Sequence, residues 1–133
     1  MELRSIAGDE LIRYVPRWMD QRKRAAESGL DEAVWMEIRP LNRGEMKRYQ
    51  GMLRFSASGD GAGVGTNRGE VDARLFAEHV VSVHNLSVGG RAIATGADLW
   101  NANDAPPEIE DLIAELGRAL GSLSVLTEGQ AKN

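Results

Sequence analysis

Residues 34–46 constrain this chain more than any other stretch. Val34, Met36 and Ile38 alternate with Trp35, Glu37 and Arg39. That period of two predicts a strand with one buried face. Pro40 cannot donate to a ladder and biases Arg39 toward extended backbone, so the strand ends there. Asn42 followed by Glu45 has the form of a capping box: the amide accepts from a free N–H of the first turn and the carboxylate reaches back. Met46, Tyr49 and Leu53 then recur at helical spacing. A strand, a stop and a capped helix follow one another directly, and none of these residues is catalytic chemistry.

The rest of the chain fills in around that unit. Residues 1–33 are polar, with one knot at Tyr14-Val15-Pro16-Arg17-Trp18-Met19, and residues 22–29 read as a short solvated turn of helix or a loop. Residues 56–69 are dominated by Gly, Ser and Asn and read as a flexible loop. Residues 70–78 form a short helix on Val71, Leu75 and Phe76, and the valine-rich run 80–86 is a strand. Gly89-Gly90 supplies the positive φ of a type I′ turn, and 91–94 is the return strand. Thr95 with Asp98 is a second capping box, opening a helical turn over 96–102. Pro106 and Pro107 start the best helix, 106–121, where a missing N–H costs little. Ile109, Leu112, Ile113, Leu116, Leu120 and Leu123 make its apolar stripe. Gly121 marks an end or a kink, and the polar residues 127–133 read as a frayed tail. The expected class is α+β: a small single domain, 1–133, with a short antiparallel sheet or hairpin (about 34–39, 80–86, 91–94) packed against helices at about 42–54, 70–78, 96–102 and 106–121.

Bulk properties narrow the function classes. At 133 residues the chain is long enough to bury one core without staples. A net charge of −4 argues against a protein built to neutralise phosphate backbones, so no nucleic-acid partner is expected. With no cysteine there is no disulfide framework, thiolate catalysis or cysteine zinc site. The N-terminus has no apolar run of the signal-peptide kind, and no window approaches a membrane span, so a cytoplasmic location and no membrane partner are expected.

Each candidate for chemistry meets a plainer explanation. The glycines of 59–69 lack a Gly-Lys-Ser/Thr ending, and Gly61, Gly63 and Gly65 alternate rather than follow Gly-x-Gly-x-x-Gly. His79 and His84 are the only histidines; five residues apart across a helix–strand junction, they are read as partly exposed or satisfied. Glu108, Glu110 and Asp111 complement a helix dipole. The basic run Arg22-Lys23-Arg24 reads as a solvated face. No Gly-x-Ser-x-Gly elbow occurs. No catalytic, cofactor or metal site is expected. The C-terminal stripe is either core or, in part, a partner-binding face.

Several pieces line up along the chain. They are the knot Tyr14-Val15-Pro16-Arg17-Trp18; the strand end and helix start Ile38-Arg39-Pro40-Leu41-Asn42-Arg43-Gly44-Glu45; the hairpin Val80 to Gly90 with Asn85-Leu86; and the tail Ser122-Leu123-Ser124-Val125-Leu126-Thr127. In this order they resemble the tail assembly chaperones of long-tailed phages and prophages. The glycine-rich segment is not part of that pattern. The resemblance implies a non-enzymatic protein that binds the tape-measure protein and helps recruit tail-tube subunits. It also implies a location in the bacterial cytoplasm, absence from the mature virion and, in many members, a longer frameshifted product; self-association is compatible with it. The expected partner contacts are Ile109, Leu112, Leu116, Leu120 and Leu123, with Trp100 and Trp35 as aromatic anchors. Two other classes share these features: a structural virion component such as a head–tail connector or minor tail protein, and a small ligand-binding or enzymatic domain.

Overall fold

The computed structural model of the protein describes residues 1–57 and 64–131, with side chains described for 1–54 and 67–121. In chain order the elements are β1 (Ile12–Tyr14), α1 (Gln21–Ser28), β2 (Trp35–Ile38), α2 (Arg43–Met52), β3 (Phe55–Ala57) and β4 (Val64–Thr66). They continue with α3 (Arg68–His79), β5 (Val80–His84), β6 (Ser87–Val88), β7 (Arg91–Ala92), α4 (Gly96–Trp100) and α5 (Glu108–Ala131). The class is mixed helix and sheet, as the sequence predicts.

The sheet at the centre runs β1–β2–β5, all antiparallel. The alternation read from residues 34–39 places Met36 and Ile38 inside at 0% exposure, while Trp35 and Glu37 lie on the outer face. β5 breaks the same rule. Met36 pairs with Val83 and Glu37 with Ser82, but Ile38 pairs with Val80, which leaves Val81 as a bulge. The extra residue reverses the alternation, so Val80 and Val83 both point inward and Val81 is exposed. Without it Val80 would face outward with Ser82 and His84.

Both predicted caps form, in different ways. Asn42 Oδ1 accepts from Glu45 N at 2.9 Å, but the Glu45 carboxylate turns away from the helix start toward His79. Thr95 Oγ1 accepts from Asp98 N at 3.1 Å, and Asp98 accepts in return from Ala94 N at 3.1 Å. Gly89 and Gly90 have φ of +58° and +79°, the pair of positive values a type I′ turn requires.

Several boundaries differ from the expectation: the strand expected at 80–86 ends at His84, and the return strand expected at 91–94 shortens to Arg91–Ala92 and pairs with β6 in a separate two-stranded sheet. The first strand, β1, lies in a segment read as polar lead-in; its outward Arg13 and short length hide the pattern. The 56–69 loop is in part a hairpin: Phe55 pairs with Thr66 and Ala57 with Val64, and α3 already begins at Arg68. Asn67 closes the base of that hairpin, accepting from Arg54 N at 2.6 Å and donating to Met52 O at 2.9 Å. Residues 58–63, the rest of the proposed loop, lie outside the described residues. The last helix passes through Gly121 to Ala131, since one glycine costs only about 1 kcal/mol within a helix and no proline follows. The expected frayed tail is therefore helical backbone as far as residue 131, and residues 132–133 lie outside the described residues.

One core joins the elements. The inner sheet face (Tyr14, Met36, Ile38, Val80, Val83) clusters with Phe76, Ile93 and Leu99 and with Leu112, Leu116, Ala119 and Leu120 of α5. Glu115, one residue from Leu116, ties the N-terminal knot to α5. Its carboxylate accepts from the Tyr14 hydroxyl at 2.7 Å, from Arg17 N at 2.8 Å and from Trp18 N at 2.9 Å. Burial, and then the Glu115 carboxylate beside it, push the Tyr14 phenol up to about 12. Truncating Glu115 leaves two backbone N–H groups and a phenol without their acceptor. Glu115→Ala is expected to lose about 2–4 kcal/mol in urea unfolding, and a loss under about 0.5 kcal/mol would show that the knot is held by packing alone.

Candidate functional site

The residues expected to contact a partner fall into different places. Ile109, Leu112, Leu116 and Leu120 are 5%, 0%, 0% and 1% exposed, so these four are the domain's own core and are not presented at the surface. Their burial has a simple cause. The sheet's inner face needs an apolar cover, and the four-turn stripe of α5 supplies it. Leu123 lies on α5, with its side chain outside the described residues. Trp35 and Trp100 are each partly exposed and lie in separate surroundings.

Trp100 packs at a tilt on Phe76, 5.2 Å between ring centroids. Together they line a groove of about 390 Å³ between α3, α4 and α5. Leu75, Ile113, Ala114 and Gly117 complete its apolar wall, and Arg68, Asp72, Glu110 and Arg118 edge it. The small residues of α5 keep this wall low beside the indole. An apolar trough with a charged edge is the shape that takes one face of an amphipathic helix.

Trp35 belongs to the outer sheet face. His84 stacks on it at 3.9 Å and 11°, and the Arg13 guanidinium sits 5.2 Å from the ring centroid. Ser82 and Glu37 adjoin this stack: Ser82 Oγ lies 2.9 Å from His84 Nε2 and donates to Glu37 Oε1 at 3.2 Å. A serine, a histidine and a carboxylate thus meet, but not as a nucleophile triad. A triad needs the carboxylate on the ring nitrogen away from the serine, whereas Glu37 approaches the same Nε2, at 3.8 Å. The hydroxyl proton is directed at Glu37, and the cluster braces neighbouring strands.

The two histidines face opposite ways. His84 is on the outer face, while the ring of His79 is wholly buried, which corrects its reading as a partly exposed or satisfied residue. Its position follows from the bulge, which draws the α3–β5 junction under the end of β2. Arg39 N donates to His79 O at 2.8 Å, and His79 Nδ1 lies 2.6 Å from Arg39 O. A carbonyl only accepts, so Nδ1 carries the hydrogen. Nε2 then points at Glu45 Oε2, 3.4 Å away. Neither Nε2 nor Glu45 Oε1 has a hydrogen-bond partner, and both are shielded from solvent.

Charged groups crowd this junction. The Arg39 guanidinium donates to Gly8 O and Glu78 O, each at 2.9 Å, and stands 3.9 Å from Glu45. Glu78 accepts from the Tyr49 hydroxyl, Arg48 and Arg74. The Tyr49 hydrogen bond first, and then that of Arg74, hold the Glu78 carboxyl below its usual range. Burial pushes the His79 imidazole below its ordinary value, opposed by the Arg39 carbonyl and by Glu45 and Glu78. The sign follows. The unfolded chain binds a proton near pH 6.5 that the folded chain resists, so stability is full above that pH and falls as the pH drops toward the lowered folded value. Urea midpoints across that window are expected to fall with acid in the wild type and to fall less in His79→Asn. Equal slopes would place the titration elsewhere.

Among the described residues no three His, Asp or Glu side chains gather as a metal site, and no helix is long and apolar enough to cross a membrane. Three features escaped the sequence reading: Glu115, hidden inside an apolar stripe; the Trp100 groove, which needs three helices to exist; and the buried His79–Glu45 pair. The last left no sign in the sequence, where Glu45 reads as the closing residue of its capping box. No family model, curated protein or solved structure matches this chain.

Proposed function

We propose that the protein is a non-enzymatic tail assembly chaperone of a long-tailed phage or prophage. It acts in the host cytoplasm, binding the tape-measure protein and helping to recruit tail-tube subunits. The resemblance of residues 14–18, 38–45, 80–90 and 122–127 to that family supports the reading. The groove between α3, α4 and α5 is the observation that carries its binding half. A tape-measure protein is long and helical, and an apolar trough edged by both signs of charge accepts one apolar helix face. In this reading Trp100, which lines the groove, is the aromatic anchor, and the core stripe of α5 supports the groove from beneath.

Capture of a co-expressed tape-measure protein tests this. Trp100→Ala and Ile113→Glu are expected to weaken capture about tenfold or more, with far-UV circular dichroism unchanged. Full capture by both folded variants would remove the groove as the site. Recovery of the chain in finished particles would replace the chaperone with a structural virion component.

A further inference from the structure

The N-terminal segment, residues 1–11, crosses the His79 junction as a strap. It is held by few contacts: Gly8 O accepts from Arg39 at 2.9 Å, and Ile6 O from Asn42 Nδ2 at 3.5 Å. Its own Arg4–Glu10 ion pair and the Glu10 N to Ala7 O hydrogen bond are internal. Met1 and Leu3 are fully and largely exposed, so little apolar burial holds it down.

Arg39 is the clamp, and the clamp has a competitor. Glu45 is the carboxylate that both the Arg39 guanidinium and His79 Nε2 approach, at 3.9 and 3.4 Å. Two acceptors left facing each other across 3.4 Å have room between them for a proton and for nothing larger. A proton there turns Nε2 into a donor to Glu45 and creates an imidazolium beside the guanidinium. One largely buried carboxylate then serves two cations, the wholly buried imidazolium and the partly exposed guanidinium.

We propose that the His79–Glu45 pair is a proton-operated release for the N-terminal strap: uptake of one proton draws Glu45 to His79, repels Arg39, and frees Gly8. The other charged groups around the ring do not supply this exchange. Glu78 is engaged by Tyr49, Arg48 and Arg74, and the Arg39 side chain meets only its backbone oxygen. Tyr49 meets the ring edge-on at 5.5 Å. The one titratable side chain of β5, His84, lies on the outer sheet face against Trp35 and Glu37, away from the ring. The lowered basicity of the buried ring sets the release on the acid side of neutrality.

The chain contains no cysteine, so Leu3→Cys carries a single spin label on the strap. In the otherwise wild-type protein the mobile fraction of that label is expected to rise about tenfold from about pH 7.5 to about pH 5, across the range in which an imidazole takes up its proton. Glu45→Gln gives Nε2 an amide donor and removes the contested charge, and His79→Asn removes the titrating ring; either is expected to abolish the transition. Glu10→Gln, which removes the strap's own ion pair, is expected to keep it. If His79→Asn fails to fold, Glu45→Gln decides alone. A transition that survives in folded Glu45→Gln, or that vanishes in Glu10→Gln, overturns the proposal. So does a label equally immobile at both pH values.

Discussion

Replacing Leu116 by aspartate is expected to unfold the protein. Leu116 is 0% exposed within a cluster that includes Leu112, Leu120, Met36 and Phe76. A carboxylate there has no partner, and burying an unpaired charge costs more than a small domain's whole stability. The milder Leu116→Ala removes the same contacts without adding a charge and is expected to lose about 2–5 kcal/mol, depending on how far the site collapses. Urea unfolding and far-UV circular dichroism measure both. A folded Leu116→Asp protein would return the α5 stripe to the list of partner-facing surfaces. Stripe variants that abolish partner capture therefore say nothing about a binding face until they have been shown to fold. Ile113 and Trp100, on the groove side, do not carry that ambiguity to the same degree, because both are partly exposed.

Gly96→Ala has an effect of similar size for a different reason. A Cβ on Gly96 would lie 2.6 Å from both Val80 Cβ and Val80 O, and closer still to Phe76 O. Two of those atoms are backbone and cannot rotate away. The methyl group would push α4 from the end of α3, where Trp100 meets Phe76 and where Val80 enters the sheet. A loss of about 1–3 kcal/mol or more is expected, seen as a lower urea midpoint, with increased exposure of Trp100 in its fluorescence. Because α4 forms one wall of the groove, the same substitution should weaken capture of a helical partner in protein that remains folded. Unchanged stability would mean that α4 can slide along α3, and that the groove is more adaptable than its close packing implies. Gly89 and Gly90 are different. Nothing lies within 4 Å of a Cβ at either, so their requirement is the positive φ of the turn and not space.

The two effects mark the limits of what local pattern reveals. The strand at residues 34–39, its stop at Pro40, the Asn42 and Thr95 caps and the Gly89-Gly90 turn are all set by neighbours within a few residues. Steric preference, proline's missing donor and side-chain capping act at that range. They are therefore legible in the sequence, and the structure keeps them. β1 and the β3–β4 pair were not legible. Three-residue strands carry too little alternation to stand out, and their pairings join residues 7 (Ala57 to Val64) to 26 (Ile12 to Ile38) positions apart.

What the sequence by itself determined is the set of strong local elements and the amphipathic character of α5. It could not say which side of α5 is covered, because an apolar stripe looks the same whether it meets its own sheet or another protein. Only the tertiary structure decided that question, through the inner sheet face that needed a cover. It decided three others by the same kind of long-range contact. The bulge at Val81 turns Val80 inward. Glu115, although in the middle of an apolar helix, becomes the acceptor for the N-terminal knot. Residues 39, 45 and 79 come together as an arginine and a histidine approaching one carboxylate. Local sterics are written residue by residue, whereas burial and the pairing of charges depend on which distant segments the fold brings within a few ångströms.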